Sequence, residues 1–204
     1  VGKPQVVYRE TIESAATGVA IFDKEVAGNR HYGEISLRLE PLSRGEGRRF
    51  ESRLAEEELA PGLVKAAEKG VMESLESGIL MGYPVVDVKA VLTGVGTRET
   101  NGSELAFTVA ASMAVREALS KGNAFLLDPI MAVEVIVPED FMGEVIGDLN
   151  ARGGKIESIE PKLGAQTIKA TVPLAKMFGY STSLRSATQG RGTFSMQFSR
   201  FDRN

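Results

Sequence analysis

The chain has 204 residues, 43% of them hydrophobic, and its 24 basic and 27 acidic side chains give a net charge of −3. This length suits one large domain or two small ones, and no run approaches the roughly 20 apolar residues of a membrane-spanning helix. Because the sequence contains no Cys, disulfides, thiol catalysis and thiolate metal sites are excluded.

The first residues, "VGKPQVVYRE", lack the charged start and the apolar run of a secretory signal. We therefore expect a cytoplasmic protein with no membrane contact. The sequence does not begin with Met, and we expect it to be a segment of a longer chain.

The first half of the sequence predicts a domain of mixed strands and helices. A helix is predicted from Pro61, which suits a first helical turn, to Ser77. A second helix is predicted from about Asn101, where an N-cap signal followed by Glu104 opens it, to Gly122. Runs of β-branched residues predict strands at 6–12, 19–22, 35–39 and 85–92.

One face of the second helix carries Leu105, Val109 and Met113 at i, i+4 spacing. Such a stripe is typical of the side of a helix that packs on a core. We therefore predict that these three side chains are buried.

Two segments combine Gly with one Arg between predicted elements, namely Val26–His31 and Gly94–Gly102. Backbone N–H groups beside Gly, together with an Arg, can contact phosphate or ribose. The same composition is also typical of ordinary turns. Both segments are therefore candidate functional loops, with the ordinary turn as the alternative.

The second half of the sequence repeats one plan, in which a strand, a Pro, a helix, Arg-Gly and a strand follow each other. The two prolines, Pro138 and Pro173, suit first helical turns. Two such βαβ units in tandem predict a ferredoxin-like βαββαβ sandwich. A boundary near 123–128 divides the chain into domains 1–126 and 127–204, so the predicted fold class is α+β.

Within the second repeat, a helix is predicted over Met177–Thr182, with Met177 and Phe178 in the core. The following residues, Ser183–Gly192, are predicted to form the loop before the last strand. Their hydroxyls, amide and two Arg side chains suit contact with RNA or with neighbouring domains.

A search for an active site finds no catalytic, cofactor-binding or metal-ligating residues. The single His, His31, is predicted to be a solvent-exposed loop residue, because a metal site needs several ligands. No phosphate-binding loop motif and no nucleophile elbow occur. The acidic run 56–58 reads as a solvated turn, and Asp87 is predicted to make a structural hydrogen bond within a strand.

Several long segments resemble the C-terminal part of translation elongation factor G, in order and over nearly the whole chain. The most specific are "GDLNARGG" at 147–154 and "LRSATQGRGTF" at 184–194. Others are "YRETI" at 8–12, "GYPVVDVK" at 82–89 and "SELAFTVAASMAVREA" at 103–118.

The resemblance implies that 1–126 is the family's fourth domain, with a ribosomal protein S5 domain 2-like fold, and that 127–204 is its fifth, ferredoxin-like domain. In the family, the tip of the fourth domain enters the small-subunit decoding centre beside tRNA and mRNA. The fifth domain docks near the L11 region rRNA of the large subunit. GTP with Mg binds in the upstream GTPase domains of the same chain, so this segment is not expected to be an enzyme itself.

The resemblance also implies which residues make contacts. Contact with ribosome or tRNA is implied for the tip loops, at Gly28, Asn29, Arg30, His31, Thr97, Arg98, Glu99 and Asn101. RNA or interdomain contact is implied for Arg152, Arg185, Gln189 and Arg191.

The tip differs from the family pattern. Where the family has Gly-Gly-Arg-Gly-Gln-Tyr-Gly, residues 27–33 read Ala-Gly-Asn-Arg-His-Tyr-Gly, and Arg98 replaces the family's tip His. We therefore expect a divergent paralogue.

The expected function is translocation of tRNA and mRNA, with ribosome recycling or ribosomal protection as alternatives within the family. Outside it, a free-standing RNA-binding module is disfavoured by the net charge. An acylphosphatase-like enzyme using Asn150 and Arg152 is disfavoured by the acidic residues after Pro138.

Overall fold

The computed structural model describes residues 5–96 and 102–204. The chain forms two compact units, one of residues 9–126 and one of residues 127–204 together with residues 5–8. Both combine sheets with helices, so the predicted α+β class is confirmed. No helix within the described residues is long and apolar enough to cross a membrane.

The first unit is built on a four-stranded sheet with two helices. Its sheet order is β2-β3-β5-β4, in which β4 and β5 are parallel and the other pairs antiparallel. Helix α1 connects the parallel pair. The elements are β1 (Arg9–Ile12), β2 (Ala16–Val26), β3 (Asn29–Pro41), β4 (Arg48–Ser52), α1 (Pro61–Leu75), β5 (Val88–Gly96) and α2 (Glu104–Lys121).

The prediction that Leu105, Val109 and Met113 are buried is wrong, since Val109 is only partly buried and the other two are exposed. Leu105 and Met113 are 42% and 46% exposed. The core side of α2 instead consists mainly of alanines, together with Phe107, Val115 and Leu119. Small side chains allow closer approach of backbones, and the structure uses this at two glycines: a β-carbon on Gly18 of β2 or Gly70 of α1 would lie within 2.1 Å of an α2 carbonyl oxygen.

The second unit has the predicted ferredoxin-like arrangement. Its strands are all antiparallel in the order β7-β8-β6-β9. Alternate residues of β6, such as Val133 and Val135, share one core with Val145 of α3 and Leu184 of α4. Both helices therefore pack on the same face. The elements are β6 (Ala124–Pro138), α3 (Met142–Ala151), β7 (Lys155–Lys162), β8 (Ala165–Pro173), α4 (Tyr180–Ala187) and β9 (Thr193–Asp202).

The last helix begins later than predicted. Leu174–Lys176 forms a short 3-10 turn, and Gly179 adopts a φ of 77°, a conformation that glycine reaches without strain. Helix α4 therefore runs from Tyr180 to Ala187 and includes Ser183 and Arg185, which were predicted to lie in a loop. Met177 is buried as predicted, whereas Phe178 is 39% exposed.

Candidate functional site

The most prominent feature of the first unit is a long hairpin formed by β2 and β3. Eleven residue pairs join the strands, from Ala16–Leu39 to Val26–Asn29. Ala27 and Gly28 close the hairpin with φ values of 52° and 85°, the pattern of a two-residue type I′ turn. The predicted contact residues Gly28 and Asn29 thus lie at the end of the hairpin, and both are exposed.

Arg30 is held on the hairpin by an ion pair. Its Nε lies 2.8 Å from Asp23 Oδ1, and about half of the side chain stays exposed. The hydrogen bond to Asp23, and then the charge of that carboxylate, raise the pKa of the guanidinium. Among residues 5–96 and 102–204, only Nε of Arg30 is engaged, so its terminal nitrogens can donate to a further partner.

His31 is not the solvent-exposed loop residue that the sequence suggested. It lies on β3 and is partly buried, with Nδ1 2.7 Å from Ser103 Oγ. The same Oγ accepts from the N–H of Ala106 and so caps α2. Ser103 therefore connects the hairpin to the beginning of α2, although 72 residues separate it from His31.

The second predicted loop begins and ends beside the same strand. Gly96 pairs with Glu34 of β3, and Gly102 forms a bridge with Tyr32. The described ends of this segment are therefore both close to the hairpin. Thr97, Arg98, Glu99 and Asn101 lie outside the described residues, and their contacts remain predictions.

Two buried carboxylates fix loops of this unit. Asp87 was predicted to make a structural hydrogen bond, and this is confirmed: it accepts from Arg44 Nη1 at 2.8 Å and from two backbone N–H groups. It lies just before β5 rather than within a strand, with a φ of 59°.

The second buried carboxylate, Glu10, was not predicted from the sequence. It is 1% exposed, and its carboxylate accepts from the backbone N–H groups of Leu80, Met81 and Tyr83 at 2.8–2.9 Å. These donors lie about 70 residues away along the chain, so no local pattern indicates them.

In the second unit, the guanidinium of Arg152 is occupied by hydrogen bonds and a ring contact with residues of the same unit. Its guanidinium donates to Asp148 Oδ2, to the Lys176 carbonyl and to Ser183 Oγ at 2.7–3.0 Å. It also stacks over the Tyr180 ring at 5.1 Å and is only 17% exposed. These contacts join α3 to α4, which leaves little of Arg152 for an outside ligand.

The other three predicted residues of this unit are exposed. Arg185 lies on α4, and Gln189 comes two residues after the end of that helix, with a φ of 54°. The guanidinium carbon of Arg191 lies 5.9 Å from the centre of the Phe141 ring. Thr188, which the sequence did not single out, fixes this turn from the core side. It is fully buried, donates to the Leu184 carbonyl at 2.7 Å and accepts from the N–H of Gly192 at 2.9 Å.

Within the described ranges, no group of three or more His, Asp or Glu side chains could hold a metal ion. The exposed hairpin end and the turn at residues 188–192, called the Gln189 turn, are both open to contact with a partner.

Comparison with known families accounts for nearly the whole chain. Residues 4–123 match the model for elongation factor G, domain IV, and residues 125–203 match the model for the elongation factor G C-terminus. The chain belongs to the elongation factor G family. The hairpin thus lies in the domain IV match of this elongation factor G segment, and Arg152 and the Gln189 turn lie in the C-terminus match.

A solved structure shows the same similarity. The crystal structure of a protein from Thermus thermophilus is 35% identical, with a TM-score of 0.88 over 98% of this chain. The present chain spans 30% of the length of that protein. Ala27, where the resemblance implies a departure from the family pattern, occupies a left-handed conformation that Gly adopts more readily.

Proposed function

We propose that this chain is the C-terminal arm of a ribosomal translocation GTPase. In this proposal the β2–β3 hairpin enters the A site at the small-subunit decoding centre and promotes movement of tRNA and mRNA. The second unit lies near the L11 region rRNA of the large subunit. GTP and Mg bind in upstream domains of the parent protein, which acts in the cytoplasm.

The observation that carries the proposal is the form of the hairpin. Eleven consecutive residue pairs and the His31–Ser103 hydrogen bond hold the hairpin in place, and residues 24–30 at its end are all exposed. Its end carries exposed small residues and Arg30, whose terminal nitrogens suit phosphate oxygens. A hairpin that moves tRNA by occupying its site must be long enough to reach that site and must be held in place where it joins the rest of the unit.

The buried state of Arg152 speaks against the acylphosphatase alternative, because that guanidinium would have to bind the substrate phosphate. The helix-free face of the second sheet argues against a free-standing RNA-binding module. Its outward residues on β6, β8 and β9 include Glu134, Lys169 and Ser195, without the aromatic residues on which RNA bases stack.

The test shortens the hairpin without changing net charge. Deleting Glu25, Val26, Asn29 and Arg30 from the full-length protein removes two residue pairs, about 7 Å of hairpin at roughly 3.4 Å per residue. We expect single-round translocation to slow at least about tenfold, which corresponds to a rise of about 1.4 kcal/mol in the activation free energy. Ribosome-stimulated GTP hydrolysis should be unchanged, because the hairpin is remote from that chemistry.

A matched control replaces only Arg30 with Ala, which keeps the length. If shortening and the control slow translocation equally, charge rather than length is responsible. Unchanged translocation with the shortened hairpin would contradict the proposal. Measuring ribosome splitting by the same proteins separates the recycling alternative, in which splitting rather than translocation depends on the hairpin.

A further inference from the structure

The helix-free face of the second sheet contains two hollows of different charge. The larger, about 500 Å³, is lined by Glu134, Glu157 and Lys169 among uncharged residues. The smaller, about 130 Å³, lies at one end of the strands. We call it the strand-end hollow; its main residues are Ile130, Lys155, Arg200, Asp202, Arg203 and Asn204.

The strand register brings the cations of the strand-end hollow together. Arg200 of β9 pairs with Ile130 of β6, and Lys155 of β7 pairs with Thr171 of β8. Thr171 in turn pairs with Ala132, two residues after Ile130, and positions two apart share a face. Lys155 and Arg200 therefore project from the same face, although 45 residues of sequence separate them.

Two of these cations retain free donors. The Lys155 side chain has no ion pair or hydrogen bond within the described part of the chain. Arg200 uses only Nε, which donates to Asp202 Oδ2 at 3.0 Å. The other oxygen of Asp202 accepts from the backbone N–H of Arg203 at 2.8 Å. Asp202 thus orients Arg200 and leaves its two terminal nitrogens available.

The available donors and the size both favour a small anion. Lys155 and the terminal nitrogens of Arg200 supply the donors, beside the acidic side chains of Asp202 and its cross-strand neighbour Asp128. In the 204-residue chain, the α-carboxylate of Asn204 lies there as well. The volume of about 130 Å³ is well below the roughly 300 Å³ at which sites for larger organic ligands begin. Terminal guanidinium nitrogens and an ammonium match the oxygens of a phosphate.

From this geometry we propose that the strand-end hollow binds a phosphate group, with Lys155 and Arg200 as the principal ligands. The group is a backbone phosphate of RNA or free inorganic phosphate. The neighbouring hollow does not share this property, because its two carboxylates outnumber its single Lys. The proposal rests on the proposed function only in naming RNA as one source of the phosphate.

The first experiment titrates the 204-residue chain with inorganic phosphate at constant ionic strength and follows backbone amide signals by NMR. We expect saturable shifts at Gly153, Lys155 and Arg203 in the millimolar range. The double variant Lys155→Gln, Arg200→Gln should abolish them. Lys169→Gln, in the neighbouring hollow, should leave them unchanged. Absence of saturable shifts in the unaltered chain overturns the proposal.

The second experiment identifies the source of the phosphate. Ribosome affinity of the full-length protein is measured over a series of salt concentrations. If RNA supplies the phosphate, the double variant should reduce the slope of log K against log salt by about 1 to 2. An unchanged slope together with saturable NMR shifts assigns the hollow to free phosphate and overturns RNA as the ligand.

The experiments distinguish failure of the proposed translocation role from failure of the phosphate site. The shortened hairpin lies in the other unit and should leave the phosphate titration unchanged. A normal titration, combined with translocation that shortening does not slow, therefore rejects the translocation role while keeping the phosphate site.

Discussion

Gly18 of β2 and Ala114 of α2 approach so closely that a β-carbon on Gly18 would lie 1.9 Å from the Ala114 carbonyl oxygen. The contact is with backbone, so no side-chain rotation can relieve it. This pair sets the distance between helix and sheet in the first unit, and the alanines of α2 fit the same short distance.

Gly18→Ala should therefore displace α2. Overpacking of a filled core costs about 1–3 kcal/mol, and a backbone contact belongs at the upper end of that range. Chemical unfolding with amide exchange in residues 9–126 measures the loss. Gly62→Ala is the matched control, because nothing lies within 4 Å of its added carbon; it should be neutral or stabilising. Equal stability of the two variants would contradict the close approach.

The hairpin turn offers a second pair of substitutions with opposite expected signs. Ala27 has a φ of 52°, which costs a non-glycine residue roughly 1–2 kcal/mol. Ala27→Gly removes that strain but adds freedom to the unfolded chain, so a net gain of up to about 1 kcal/mol is expected.

Gly28→Ala should destabilise the protein by a similar amount, because it places a non-glycine residue at a φ of 85°. Melting temperatures of the two variants provide the comparison. Destabilisation by both substitutions would mean that the turn is not of type I′.

Removal of the Glu10 carboxylate should be among the most damaging substitutions in the first unit. Glu10→Ala removes the carboxylate that accepts from three backbone N–H groups, and each hydrogen bond to a charged group contributes about 1.5–3 kcal/mol. We expect at least about 3 kcal/mol in total by urea unfolding, allowing for partial access of water. Glu10→Gln keeps an acceptor oxygen and should lose less, while exposed Glu56→Ala should change stability little. Similar effects of Glu10→Ala and Glu56→Ala would reject the structural role.

Tyr180 should limit stability at alkaline pH. Burial, and then the charge of Asp148, raise its pKa to about 12, against the opposing charge of Arg152. Below pH of about 10 the phenol is neutral in both states, so its contribution is fully present. Between about 10 and 12 the unfolded chain ionises first, and stability falls by up to about 1.4 kcal/mol per pH unit.

The Tyr180 hydroxyl is buried without a hydrogen-bond partner in the described structure. Tyr180→Phe should therefore change stability at neutral pH by less than about 1 kcal/mol. It should also flatten the alkaline decline, as followed by unfolding at a series of pH values. An identical decline in the variant would assign it to other groups.

Ionised Asp128 should lower the free energy of unfolding, and this effect should depend on pH. Burial raises its pKa, against the charge of Lys176, and it faces Asp202 across the β6–β9 pairing. The folded state therefore disfavours the charged form, and the penalty applies above the raised pKa.

Asp128→Asn should stabilise at neutral pH by about 0.2–1 kcal/mol, the range for cross-strand charge pairs. This gain should disappear as the pH falls through the raised pKa, because Asp128 then takes up a proton. Thermal unfolding at neutral and acidic pH compares the two chains. A gain that persists at acidic pH would point to a cause other than charge.

The sequence predicted the second unit well because its signals are local. Pro138 and Pro173 each follow a strand and open a helical turn, which was enough to predict the ferredoxin-like order. The beginning of α4 was missed because Gly179 delays it by one short turn.

In the first unit, the pattern of large apolar residues pointed to the wrong side of α2. Leu105 and Met113 outweigh alanine in any hydrophobic pattern, yet only alanines fit against Gly18. The partners of Glu10 and of His31 lie about 70 residues away, and such contacts depend on how the units fold rather than on spacing along the chain.

The pairing of β9 with β6 has a consequence for the order in which the protein folds during its synthesis. The first unit has all its strands and helices before residue 127, so its core can form while later residues are still being made. The second unit depends on residues 193–202, which pair with strand β6 more than 50 residues earlier. Until β9 emerges, residues 128–136 of β6 lack the strand that pairs with them, and an unpaired strand edge of this kind favours association with other chains.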